Sequence, residues 1–173
     1  MPVNERSFPV ELAAKSLRHY LATGSLLDVP VNLPAKWQTR AGVFVSLKKQ
    51  GQLRGCIGTF QPVQSNIAAE IIHNAVSAGT QDPRFPAVTE QELDEISFSV
   101  DILEPPEAIR SLAELEPQKY GVIVSSGHRR GLLLPMLPGV DTVEEQVAIA
   151  KDKAGIGQQE PVQLYRFTVA RYT

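Results

Sequence analysis

The chain has 173 residues, 43% hydrophobic and 21% charged, with a formal net charge of −2. This is the composition of one ordinary soluble domain with enough apolar material for a core and a small second lobe at most. The slight acidity, with a pI of about 5.9, argues against a nucleic-acid binder that works by charge alone, and a single cysteine excludes an intrachain disulfide framework and a cysteine-built zinc site.

No apolar run approaches the roughly 18–20 residues of a membrane span. Residues 1–6 are followed by no apolar signal segment, and a lone free thiol fits a reducing compartment. A cytoplasmic protein is expected. Val10, Ala14, Leu17 and Leu21 recur at helical spacing behind Ser7, a capping residue, and Pro9, tolerated in a first turn. With Gly24 as a natural stop they predict a helix over residues 8–23. His19, just off the apolar stripe, reads as a surface or capping residue. Residues 24–40, with Pro30 and Pro34, read as a long loop that Trp37 anchors by burying its ring. Residues 41–47 alternate, with Val43, Val45 and Leu47 on one face and Phe44 on the other, 48–52 form a polar turn with one glycine, and 53–60 follow as a second strand, so the two make a hairpin. Pro62 ends that strand and Ser65 is a candidate cap. Ile67, Ile71, Ala75 and Ala78 then predict a buried helix running to Gly79. His73 on it reads as a packed or solvent-edge residue rather than a ligand.

Asp82-Pro83-Arg84-Phe85-Pro86 fixes a stiff, turn-rich path in which Asp82 can bond backbone N–H groups ahead of it. This is either a corner joining helix to sheet or a loop presenting Arg84 to a cleft. Thr89–Glu92 is a capping-box pattern for a short helix. Ile96, Phe98, Val100 and Ile102 alternate with polar residues as a strand that Pro105-Pro106 stops. Ser111–Glu114 caps another short helix. Residues 121–124 and 132–134 are strands of a second hairpin whose tip, residues 125–131, is basic. Thr142 caps a helix that carries Val143, Val147, Ala150 and Ala154 and stops at Gly155. Residues 161–172 alternate as a closing strand. The order α-β-β-α-β-β-β-α-β with two hairpins predicts an α+β (mixed α/β) fold, one predominantly antiparallel sheet covered by helices.

The chemistry concentrates in Leu53-Arg54-Gly55-Cys56-Ile57-Gly58-Thr59-Phe60, which holds the only cysteine, two glycines and an arginine. Interior glycines weaken a strand and mark a bulge or a close backbone approach. Strand alternation puts Arg54 and Cys56 on one side, roughly 6.5–7 Å apart at Cα. A guanidinium there would favour the thiolate, the reactive form of cysteine. Three readings follow. In the first, Cys56 is a nucleophile or a thiol ligand of an enzyme, although a cysteine nucleophile usually needs an activating base. In the second, Arg54, Arg84 and Arg130, with the amides around Gly55 and Gly58, hold a small anion such as a carboxylate or phosphate. In the third, Cys56 is a buried core residue and the chain is a scaffold. No Walker or GxGxxG pattern and no metal-ligand spacing occurs.

Where Leu53–Gly58 is joined by Asp82-Pro83-Arg84-Phe85-Pro86 and by Gly131-Leu132-Leu133-Leu134-Pro135, the chain resembles the AMMECR-domain family, whose bacterial and archaeal members are called AmmeMemoRadiSam system protein A. The resemblance runs from about Phe8 to Phe167, and Lys153-Ala154-Gly155 matches a further family segment. It implies a two-lobed AMMECR-type fold with a predominantly antiparallel sheet and a cleft beside the motif, and it brings no established activity. The family's name implies association with a Memo-like protein, whose fold resembles extradiol dioxygenases, and with a radical SAM protein. None of His19, His73 and His128 belongs to the family motifs, so no histidine-dependent mechanism carries over. Met136-Leu137-Pro138-Gly139-Val140 departs from many members, in which a polar residue follows Leu-Pro. The expectation is a single AMMECR-type domain over residues 1–173 that serves as a catalytic or ligand-binding subunit in a modification reaction. Cys56 and Arg54 are the catalytic candidates. Gly55, Gly58, Thr59, Asp82, Arg84 and Arg130 are the ligand-binding set, with no metal and no cofactor. The alternative is a non-catalytic scaffold.

Overall fold

A computed structural model describes residues 7–173; the absence of a leader expected at residues 1–6 lies outside the described residues. The chain divides into two compact units, residues up to Leu103 with 170–173, and Glu104–Val169.

The first unit opens with helix α1 (Phe8–Thr23), which has Pro9 in its first turn and Gly24 as its left-handed stop (φ 76°), the Gly24 N–H donating to the Tyr20 carbonyl at 2.8 Å. The loop behind it carries a short helix, α2 (Ala35–Gln38), where the sequence shows no periodic signal. Trp37 on α2 is fully buried, stacked on Phe8 at 5.4 Å and edge-on to Tyr172 at 5.7 Å. The first hairpin is β1 (Val43–Lys49) and β2 (Gln52–Thr59). Its loop is two residues, Gln50 and Gly51, both at positive φ (53° and 76°). That is the twist of a type I′ turn, so pairing extends further into the polar segment than the expected five-residue turn.

Helix α3 (Ile67–Thr80) is capped by Asn66, whose Oδ1 accepts from the Ala69 N–H at 2.8 Å, and not by Ser65 as expected. The capping box at Thr89 is formed, on a 3₁₀ turn over Glu90–Glu95. Strand β3 (Ile96–Leu103) pairs with β1 and, with β8 (Val169–Tyr172), completes a sheet of order β2-β1-β3-β8. The register sets Val43, Val45 and Leu47 opposite Ile102, Val100 and Phe98 on one face. That face joins Leu12, Leu17, Ile71, Ile72 and Ala75 of α1 and α3 in the core. Truncating a fully buried member such as Leu47 or Ile71 costs about 2–5 kcal/mol.

The second unit has its own sheet, order β4-β7-β5-β6. Its strands are β4 (Glu107–Ile109), β5 (Gly121–Ser126), β6 (Arg129–Leu133) and β7 (Gln163–Phe167), paired antiparallel. The β5–β6 loop is only Gly127-His128, with Gly127 at φ 60°. Arg129 and Arg130 therefore lie on strand β6 and not at a loop tip. Helix α4 (Val143–Ala154) starts at the Thr142 hydroxyl, which accepts from the Glu145 N–H, and stops at Gly155 (φ 68°). It packs so closely on β6 that a Cβ at Gly131 would run into the Ala150 carbonyl oxygen. Val122, Val124, Leu133, Val147 and Ala150 form the second core.

The fold class is α+β with antiparallel sheets, as expected, but the strands form two sheets and not one. The expected closing strand breaks at Thr168: β7 belongs to the second sheet and β8 to the first. Pro105 and Pro106, which have no N–H to give a ladder, separate β3 from β4. Among the described residues no helix is long and apolar enough to cross a membrane.

Candidate functional site

Strand β2 is an edge strand, and an unpaired strand edge leaves N–H and C=O groups in need of partners. At Cys56 the loop after α3 supplies them. The Asp82 carboxylate accepts the Cys56 N–H at 3.0 Å, and the Arg84 Nη2 donates to the Cys56 carbonyl at 3.4 Å. Because the Cys56 N–H points outward, Ser46 and Cys56 face each other as a pair without mutual backbone bonds, the arrangement that brings side chains closest. The Ser46 hydroxyl accordingly donates to the Cys56 sulfur at 3.2 Å.

Asp82 is 4% exposed and satisfies four donors: the Cys56 N–H, the Arg84 N–H at 3.0 Å, and the Arg84 Nε and Nη2 at 3.0 and 2.8 Å. The paired Arg84 side chain, opposed by burial, holds this carboxyl far below the usual carboxylate range. The Pro83 ring stiffens the turn that carries both residues. Both readings of the Asp82–Pro86 segment thus meet in one structure: a corner that covers the sheet edge, and a mount that fixes an arginine. The Arg84 side chain is 56% exposed, its guanidinium carbon lies 5.5 Å from the Phe85 ring, and its bonds to Asp82 and Cys56 all come from Nε and Nη2. The N–H groups of Nη1 take no part in them.

The pairing expected between Arg54 and Cys56 does not form. The β1–β2 register sets Leu47 opposite Gly55 and Lys48 opposite Leu53, so Arg54 is the extra residue of a β-bulge. The bulge breaks the alternation that would put Arg54 beside Cys56. Its guanidinium binds Glu92 in a fork at 3.1 and 3.2 Å and the Pro86 carbonyl at 2.8 Å. Glu92 also takes Lys49 at 3.2 Å, and Lys49 shares its parity on β1 with the core-facing Val43, Val45 and Leu47. Arg54, with Lys49 and the Thr89 N–H, lowers the Glu92 carboxyl to about 2. Cys56 follows a different balance. Burial pushes its thiol up, opposed by the Ser46 hydroxyl and the Arg84 charge, while Asp101 and Asp82 add to the rise. This balance favours the neutral thiol, where the sequence reading set Arg54 to favour the thiolate, and the arginines whose charge meets Cys56 are Arg84 and Arg171.

The remaining expected residues have separate jobs. At Gly55 a Cβ would run into the Ala78 carbonyl oxygen, so this glycine lets β2 lie against α3. At Gly58 a Cβ would enter the Phe44 ring, which packs flat over it. The Thr59 hydroxyl donates to Glu70 Oε1 and accepts from Asn74 Nδ2 at 3.1 Å. Arg130 belongs to the second unit, exposed on β6 opposite Ser125.

Sequence reasoning missed Ser46, Glu70, Asn74, Asp101 and Arg171. Glu70, 1% exposed, accepts the Thr59 hydroxyl and the Val63 and Gln64 N–H groups, and so pins the chain that leaves β2. Its signal was a lone carboxylate inside an apolar helix face. Asp101, 3% exposed, takes Arg171 in a fork at 2.7 and 2.8 Å on the face of β3 that carries its cross-strand partner Phe44. Among the described residues no three His, Cys, Asp or Glu side chains gather as a metal site.

The AMMECR1 family model matches residues 10–172 of this chain. A Thermotoga maritima protein is 53% identical over 94% of this chain and 95% of its own length. A Clostridium acetobutylicum protein is 52% identical over 94% of this chain, which spans 35% of that longer protein. Among solved structures, the uncharacterized protein PH0010 of Pyrococcus horikoshii superposes with a TM-score of 0.90 at 32% identity, over 96% of this chain and 89% of that one. A family match over nearly the whole length, on a fold shared with PH0010, shows that the chain belongs to the AMMECR1 family.

Proposed function

We propose that the strand bearing Cys56, with Asp82 and Arg84, is a binding site for the anionic group of a small ligand. The observation that carries this reading is the state of Arg84. A buried, fully engaged carboxylate and a proline-stiffened turn hold one edge of its guanidinium beside β2, while the Nη1 edge, outside those bonds, has the planar donor geometry that suits a carboxylate or phosphate. Cys56 lines the site as a neutral thiol. A thiol raised by burial is a poor nucleophile at neutral pH, which favours binding over covalent catalysis by this chain alone. In this reading the protein is the ligand-presenting subunit of a cytoplasmic modification system, and the chemistry falls to partners of the Memo-like and radical SAM kinds that the family resemblance implies.

The test is calorimetric titration of the full chain with inorganic phosphate and with acetate, beside Arg84→Gln and Arg54→Gln variants. Saturable binding that weakens about tenfold or more in Arg84→Gln, the loss of one charge-assisted contact, supports the reading. Equal binding by wild type and Arg84→Gln overturns it.

A further inference from the structure

The second sheet carries a polar row that the proposed site does not use. Gly131, which lies against Ala150 of α4, pairs with Val124, so the helix covers the face bearing those two residues. Their neighbours Ser125 and Arg130 project to the opposite face. Ser125 pairs with Arg130 on one side and with Gln163 on the other, and paired residues share a face. The β4–β7 register, Ala108 opposite Tyr165 and Ile109 opposite Leu164, brings Arg110 next to Gln163. Gln163, Ser125 and Arg130 therefore form one row across three strands, Arg110 continues it just past the end of β4, and Ala108 and Tyr165 lie beside it on the same face.

At the Arg110 end of the row lies a depression of about 310 Å³ lined by Ala108, Ile109, Arg110, Val162, Gln163, Leu164 and Tyr165. That volume falls at the small-molecule end of ligand sites. On the face of the row its side chains are the donors Arg110 and Gln163 beside Ala108 and the Tyr165 ring, while Ile109 and Leu164 turn to the core face. The Tyr165 hydroxyl donates to Gln163 Oε1 at 3.1 Å, which leaves the Gln163 amide nitrogen to face a ligand. Three carboxylates of this unit have partners: Glu107 in Arg166, Glu160 in Arg129, and Glu114 in the backbone N–H groups of Arg110 and Ser111, where it also meets the Arg110 charge. The guanidiniums of Arg110 and Arg130 hydrogen-bond to none of them. Arg129 is tied to the Gly155 carbonyl and Glu160, whereas Arg130, one residue on, stands exposed.

We propose that this depression is a second ligand site, independent of Cys56, for a small oxyanion attached to a planar or apolar body. Arg110 and the Gln163 amide hold the carboxylate or phosphate, the Tyr165 ring and Ala108 take the body, and Arg130 extends the positive charge along the row. A site with one anion clamp and one aromatic wall selects for the combination, because neither inorganic phosphate nor a neutral ring fills both parts.

The test is an amide ¹H–¹⁵N NMR titration of the full chain with phenyl phosphate, with inorganic phosphate and phenol as separate arms. Phenyl phosphate is expected to shift residues 108–110, 123–125 and 163–165 and to bind more tightly than either fragment. Arg110→Gln, a change at an exposed side chain, is expected to weaken it about tenfold or more with the melting temperature kept, and Arg130→Gln to weaken it less. Shifts confined to residues around Cys56 and Arg84, unchanged affinity in Arg110→Gln, or equal binding of phenol would overturn the proposal. Because the two sites fall on different residues, failure here and failure of the Arg84 site are read separately.

Discussion

Replacing Asp82 by alanine removes four hydrogen bonds at once, and their separate costs can be worked from the structure. The Cys56 N–H, on an edge strand and otherwise directed away from β1, loses its acceptor, which costs about 1–3 kcal/mol for an orphaned donor. The turn bond from the Arg84 N–H adds about 1 kcal/mol. The ion pair adds at most about 1 kcal/mol, because the Arg84 side chain is 56% exposed and water screens it. The sum is roughly 2–5 kcal/mol for Asp82→Ala. Asp82→Asn, which keeps the volume and one acceptor oxygen, should lose about half of that. Urea unfolding followed by Trp37 fluorescence reads this directly, since the single tryptophan is fully buried in the same unit. The pH dependence has a fixed sign. The folded-state pKa is depressed, so the contribution is present above the ordinary aspartate value of about 3.9 and is lost as pH falls below it toward the depressed value. The gap between wild type and Asp82→Asn should therefore narrow in acid. A loss under about 0.5 kcal/mol in Asp82→Ala would refute the idea that this carboxylate organises the strand edge.

Glu92 follows the same sign rule with a different window. Held at about 2 mainly by Arg54, it contributes stability above the ordinary glutamate value of about 4.3, lost as pH falls from there toward about 2. The stability gap between wild type and Glu92→Gln should shrink over that range, and a constant gap would contradict the Arg54–Glu92 fork. Gly55→Ala sets a methyl against the Ala78 carbonyl, a backbone atom with little room to yield. It should cost at least about 1–3 kcal/mol, and an unchanged melting temperature would mean that β2 and α3 do not meet there. Gly131→Ala should do the same in the second unit against Ala150.

What the sequence revealed, and what it hid, divides by range. Apolar period located α1, α3 and α4, Thr142 and the stop glycines Gly24 and Gly155 marked ends of α4 and α1, and the Gly127-bearing hairpin was visible as two strands around a turn. These are local signals, which neighbours three and four residues apart decide. Asp82 was legible as a turn former for the same reason. The side of β2 that Arg54 faces was not, because a bulge is a property of pairing with β1 and alternation alone assumes there is none. The division into two sheets was hidden too: a single residue, Thr168, separates β7 from β8 in a run that alternates throughout. Ser46 and Asp101 could be seen as polar residues on a strand's wetter face, but only the register brings Ser46 to the Cys56 sulfur. Asn66 displaced Ser65 as the cap of α3 because its neighbour's position one residue earlier does not reach the Ala69 N–H that the Asn66 side chain takes.

The central claim is that Cys56 is a neutral thiol lining a site whose working cation is Arg84, and the pH dependence of its alkylation by iodoacetamide in the folded protein tests this most directly. The expected midpoint lies above the ordinary thiol value of about 8.5, is unchanged in Arg54→Ala, and rises further in Ser46→Ala and Arg84→Gln, since both groups oppose the effect of burial. A midpoint below about 8 that climbs in Arg54→Ala would contradict the account and return Cys56 to the role of an arginine-activated nucleophile.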